Sequence, residues 1–289
     1  MANYTSHAIM SELLYKKLLK KRAFKTKTDI DSLKLFSIGQ DLTFFNKVCF
    51  NTTHYYNSQK FFINTIKYIY DNNLQYDHDV MTYLYGHIAH YALDITIHPF
   101  IGKLTNSIKP KSLITPHTII ECEFDKYLVN KYCKNKKYNY SYLKTKSIQN
   151  KNIRNIINNT YRTTYGFIDV NYVYKSTILL IKLCNSTVEY LYYKNNNLFK
   201  KLSKIDKYDS EYLFSNYIKN DKKKEFDKIL DNSLKLSKNI IKNVNSYLYK
   251  NKSENILSLT FDDTPYDVGI LENIKPVYNT APNCEPINE

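Results

Sequence analysis

The stretch Tyr85-Gly86-His87-Ile88-Ala89-His90-Tyr91-Ala92-Leu93-Asp94-Ile95-Thr96-Ile97-His98-Pro99 decides how this chain is read. His90, Asp94 and His98 recur at every fourth position, and a helix of about 3.6 residues per turn stacks such positions along one face. Two imidazoles and a carboxylate on one face are ligand types that Zn²⁺ takes at about 2.0–2.2 Å. A second pair with the same spacing, His117 and Glu121, follows downstream. His7, Asp41 and His54 are further candidates upstream. Five of the seven histidines of the chain belong to this set, so imidazole is concentrated where a metal would need it.

The composition bounds the fold around that stretch. The chain has 289 residues, enough for one large core or two small ones. With Gly 5 and Pro 7 it lacks the turn residues of a sandwich or barrel, and the expected class is all-α. Asn, Lys, Tyr and Ile are abundant and Trp is absent, which reads first as a bias of nucleotide composition. The 29 tyrosines are therefore expected mainly as packing residues with a wet hydroxyl end. Cys49, Cys122, Cys133, Cys184 and Cys284 show no CxxC spacing, so neither a disulfide framework nor a thiolate zinc site is indicated.

Residues 1–10 lack the pattern of a secretory signal, and no stretch reaches the roughly 20 apolar residues that span a bilayer. The expectation is a cytoplasmic protein without a transmembrane segment. The formal net charge is +15. From Lys252 onward there are two basic and seven acidic residues, so the preceding part is more basic still. Such a surface favours anionic partners: phospholipid headgroups, an anionic membrane at its periphery, or nucleic acid.

Taken in order, Thr5 and Ser6 are expected to cap a helix from His7 to about Lys20, and Asp29 or Asp31 to start a short helix through Phe36. Gly39 would end that helix, with Asp41 and His54 in the loops that follow. A helix from about Ser58 to Tyr70 leads to the central one, capped by Asp77 or Asp79 and stopped at Pro99 and Gly102. Thr115-Pro116 is a helix start that carries His117, Glu121 and Asp125 along one face. Beyond residue 152, runs such as 177–181 and 229–234 read as core helices, with 195–197 and 222–224 as linkers. The expected division is one helical domain over 1–250 and an acidic tail over 251–289, which holds four of the seven prolines and is expected extended.

HxxxD alone is a weak signal, because a hydrogen-bonded pair looks the same. HxxxDxxxHP followed by HxxxE, with His7, Asp41 and His54 added in order, resembles the zinc-dependent phospholipase C family, whose fold is similar to that of zinc-dependent single-strand nucleases. The resemblance is close over roughly the first 130 residues. It implies a multi-helix bundle around a multinuclear site holding two to three zinc ions. Asp41, His54, His90 and Asp94 would hold one ion, with Asp94 bridging to another bound by His7. His98, His117 and Glu121 would hold the remaining one. Relatives in this family supply an N-terminal tryptophan beside the first histidine. Trp is absent here, so the His7 site is expected to be the weakest. His87 and Asp125 are expected behind the ligands or at the rim of the pocket.

The implied activity is hydrolysis of a phosphodiester by zinc-bound hydroxide, which Asp41 would orient or deprotonate. With a phospholipid, diacylglycerol would be released. Two alternatives stand beside it: a zinc nuclease acting on single strands, suited to the basic surface and its tyrosines, and a non-catalytic helical protein with structural zinc.

Overall fold

The computed structural model describes residues 4–19, 30–43, 53–54, 57–105, 116–133, 138, 140–166, 174–179, 222–250 and 252–262. No strand occurs among the described residues, and the fold is all-α. The helices are α1 (Tyr4–Leu14), α2 (Ile30–Phe36), α3 (Ser58–Asp71), α4 (His78–Thr105), α5 (Pro116–Tyr132), α6 (Lys151–Tyr165), α7 (Lys222–Lys250) and α8 (Asn255–Ser258), with residues 174–179 also helical. The expected 177–181 run is described only to 179, and 195–197 lies outside the described residues.

Helix α4 is the axis of the bundle. Nearly every residue from Val80 to Asp94 is buried, as expected of a helix apolar on all sides and surrounded by others. It starts where expected: Asp77 Oδ1 accepts the backbone N–H groups of Asp79 (2.9 Å) and Val80 (3.2 Å). It does not end where expected. Pro99 lies inside the helix, which runs on to Thr105. Proline deprives only the carbonyl four residues back of its partner, and burial of Ile101 and Leu104 beyond it favours continuation.

The neighbours of α4 are set by similar local features. Gly86 lets α2 cross closely, since a Cβ there would lie 2.6 Å from Phe36 Cβ and 2.7 Å from its carbonyl carbon. Helix α7 runs alongside, with Thr96 and Ser233 in hydroxyl contact at 2.5 Å. Its start at Lys222 corrects the expected linker at 222–224: lysine tolerates a helix, and the apolar period through Phe226, Ile229, Leu230 and Leu234 extends it. Helix α1 begins earlier than expected, at Tyr4, and passes into a π-helical turn over Tyr15–Leu19. The region expected as an extended tail is folded at its start: Leu257 and Phe261 are buried, and the Phe261 ring packs on Phe62 of α3 and Tyr91 of α4.

Candidate metal centre

The eight candidate ligands come from five segments of chain. His7 is on α1, and Asp41 is in the 3-10 turn Gly39–Thr43 rather than in an open loop. His54 is helical together with Thr53, also not in a loop. His90, Asp94 and His98 lie on α4, and His117 and Glu121 on α5. All are buried except His117, which is half-buried.

These side chains converge in three groups whose donor atoms lie within 4.8 Å of one another: His7, Asp41 and His90; His54, His90 and Asp94; and His98, His117 and Glu121. His90 is common to the first two groups. The His7 ring stacks on the His90 ring at 4.5 Å, and the His54 ring meets it edge-on at 6.2 Å. Asp94 faces two imidazoles, with Oδ1 3.2 Å from His7 Nε2 and Oδ2 3.0 Å from His90 Nε2. His54 Nε2 is 2.8 Å from Asp41 Oδ1. In the third group Glu121 Oε1 lies 2.9 Å from His117 Nε2 and 3.7 Å from His98 Nε2, and the two rings stack at 5.3 Å.

The electrostatics favour ionised carboxylates. Burial pushes the Asp94 carboxyl up, but His90, His7 and His98 outweigh it and hold the group well below the usual range. Burial likewise raises Glu121, and the His117 imidazole overrides this and lowers it. Burial lowers the His7 imidazole, but the Asp94 carboxylate beside it raises it further.

A buried cluster of three carboxylates needs compensating charge. Among the described residues no lysine or arginine pairs with Asp41, Asp94 or Glu121. Asp41 Oδ2 and Glu121 Oε2 are buried and have no hydrogen-bond partner among the described residues, a costly state that a divalent cation relieves. Imidazole nitrogens and carboxylate oxygens in groups of three also match the donor set of zinc, so the residues present fit the ion.

The two remaining candidates do different things. His87 is on the ligand face but one turn below His90, in a cage formed by Tyr83 (4.2 Å), Phe61 (6.1 Å) and Phe36 (6.5 Å). Its Nδ1 donates to the Tyr83 carbonyl at 3.1 Å, and burial with the neighbouring His90 pushes the imidazole down to about 3. It is a neutral packing residue, not a group at a pocket rim, because the aromatic layer closes over it. Asp125 Oδ1 accepts the Ser6 backbone N–H at 2.8 Å and so ties α5 to the turn that carries His7. Burial pushes its carboxyl up to about 8.

One supporting residue was not singled out for this role by sequence reasoning. Gly39 adopts φ +59°, and a Cβ there would lie 2.3 Å from His90 Cγ. Its backbone therefore walls the metal centre; the scarcity of glycine in the chain was the available signal.

No curated protein and no solved structure matches this chain. The sequence model of zinc dependent phospholipase C does match, over residues 6–167, which is more than half of the chain and includes all eight candidate ligands. With its all-α bundle and His/Asp groupings that fit zinc, this chain belongs to the zinc-dependent phospholipase C family.

Proposed function

We propose that the protein is a zinc-dependent phosphodiester hydrolase that cleaves a phospholipid to diacylglycerol and a phosphorylated headgroup. The observation that carries this reading is the convergence of eight imidazoles and carboxylates, seven of them buried and His117 half-buried, from five segments into three groups. A structural zinc site needs only one closed set of four ligands. In this reading His7, Asp41, His54, His90, Asp94, His98, His117 and Glu121 hold two to three zinc ions. Zinc bound there supplies Lewis acidity toward a phosphate oxygen and lowers the pKa of a coordinated water toward about 7.

The residues of the chain do the rest. Asp94, with its oxygens toward His7 and His90, ties the first two groups together. Asp41 keeps Oδ1 on His54 and leaves Oδ2 without a partner among the described residues, so Oδ2 is the oxygen able to orient a water or accept its proton. His117 is the most exposed of the set, so its group is the side from which a phosphate would enter. The face of α7 bearing exposed Lys224, Lys228, Lys235, Lys238 and Lys242 supplies attraction to an anionic membrane surface. No helix among the described residues is long and apolar enough to cross a membrane.

The test is diacylglycerol release from phosphatidylcholine and from anionic phospholipid vesicles by the zinc-reconstituted protein. Release that stops on chelation and resumes with zinc supports the proposal. Cleavage of single-stranded DNA or RNA without lipid cleavage would transfer the case to a nuclease. Zinc-dependent folding without either activity would leave a structural role.

A further inference from the structure

We infer that residues 253–262, which lie outside the family match, are a clasp that positions the His54 and His90 half of the metal centre. This inference rests on the proposed zinc reading. Phe261 is buried, stacked on Phe62 of α3 at 4.4 Å and edge-on to Tyr91 of α4 at 5.7 Å. Gln59 Nε2 of α3 donates to the carbonyls of Ser258 (2.9 Å) and Phe261 (2.7 Å). Asp262 then closes the connection through its backbone. Its carbonyl accepts from Ser58 Oγ at 2.9 Å and from Tyr91 Oη at 3.4 Å, while its N–H donates to Tyr91 Oη at 3.1 Å.

The places that this clasp grips give it a role beyond packing. Tyr91 directly follows His90 on α4. Ser58 and Gln59 open α3, four and five residues after His54, with Asn57 in the left-handed conformation (φ 55°) between. His54 and His90 must face each other, and their rings meet edge-on at 6.2 Å. The route from His54 through Ser58, Asp262 and Tyr91 to His90 is therefore a continuous path of covalent links and hydrogen bonds, and the ring contact completes it. Thr260 fastens the clasp on its other side, accepting from Asn243 Nδ2 of α7 at 3.0 Å. The group of His98, His117 and Glu121 lies further along α4 and on α5, and the hydrogen bonds of the clasp described above go to Ser58, Gln59, Tyr91 and Asn243 instead.

The experiment compares zinc retention by the full-length chain and its Phe261→Ala and Gln59→Ala variants against a graded chelator. Each is also made in a His117→Ala background, which empties the third group so that remaining zinc reports the His54 and His90 half alone. The expected result is a loss of affinity in that half of about 10- to 100-fold, as for supporting residues behind metal ligands, with the third group unchanged. Leu259→Ala, at an exposed position of the same segment, should retain zinc like the parent. Unchanged retention in both variants overturns the inference. Equal loss from both halves, alongside a lower melting temperature, overturns it too and leaves general stabilisation. If Phe261→Ala does not fold, Gln59→Ala alone decides. A parent protein with no zinc would instead remove the zinc reading on which the inference depends.

Discussion

Gly39 lies against the His90 imidazole so closely that an added Cβ would sit 2.3 Å from its Cγ, and it does so with φ at +59°. Both facts disfavour any other residue. Gly39→Ala combines a left-handed backbone penalty of about 1–2 kcal/mol with displacement of a proposed ligand. Denaturant unfolding should show a loss of at least about 2 kcal/mol, together with weaker zinc binding. A variant that matches the parent in both would refute the close approach.

Asp94 spans the first two groups, with an oxygen toward each of His7 and His90. Asp94→Asn should lower activity by more than about 100-fold, beyond what loss of a supporting residue costs. It should also remove more than one zinc per chain. Elemental analysis showing a full complement would mean that Asp94 does not bridge.

Asp125 should make the stability of the metal-free protein fall as pH rises. Its folded carboxyl is pushed up to about 8, whereas the unfolded group titrates near 3.8, so between these values the unfolded chain alone releases the proton. The slope approaches about 1.4 kcal/mol per pH unit for one proton. Asp125→Asn keeps an acceptor for the Ser6 N–H and should flatten that slope. An unchanged profile would contradict the burial argument.

His87 acts in the opposite direction. Its folded imidazole is pushed down to about 3 from 6.5, so its contribution is complete above pH 6.5 and is lost as pH falls toward 3. His87→Phe should therefore reduce acid sensitivity in that window while leaving the zinc count intact. Loss of metal would move His87 back among the groups that serve the site.

The exposed lysines of α7 should govern association with anionic vesicles. At about 1 kcal/mol per lysine, replacing Lys235, Lys238 and Lys242 by alanine should weaken binding at low salt by roughly 100-fold. Hydrolysis of a short-chain, water-soluble substrate should be unchanged. Equal vesicle binding by parent and variant would assign membrane contact elsewhere.

The metal centre was legible because four-residue spacing on a helix is a direct statement about geometry, and His90, Asp94, His98, His117 and Glu121 obey it. Features that depend on tertiary packing were less so. His87 shares the face of His90, but one turn lower that face meets Phe36 and Phe61 instead of imidazoles. Pro99 reads as a stop, yet buried neighbours on both sides carry the helix through it. The clasp was hidden because its apolar anchors, Leu257 and Phe261, are too few to show a period amid acidic, proline-containing sequence.

A multinuclear centre is tested most directly by zinc per chain, from elemental analysis of the purified, zinc-reconstituted protein. The expected content is two to three ions, falling on mutation of His98 or His117 without emptying the His54 and His90 half. No zinc, or a single ion lost by mutation of any ligand, would contradict it.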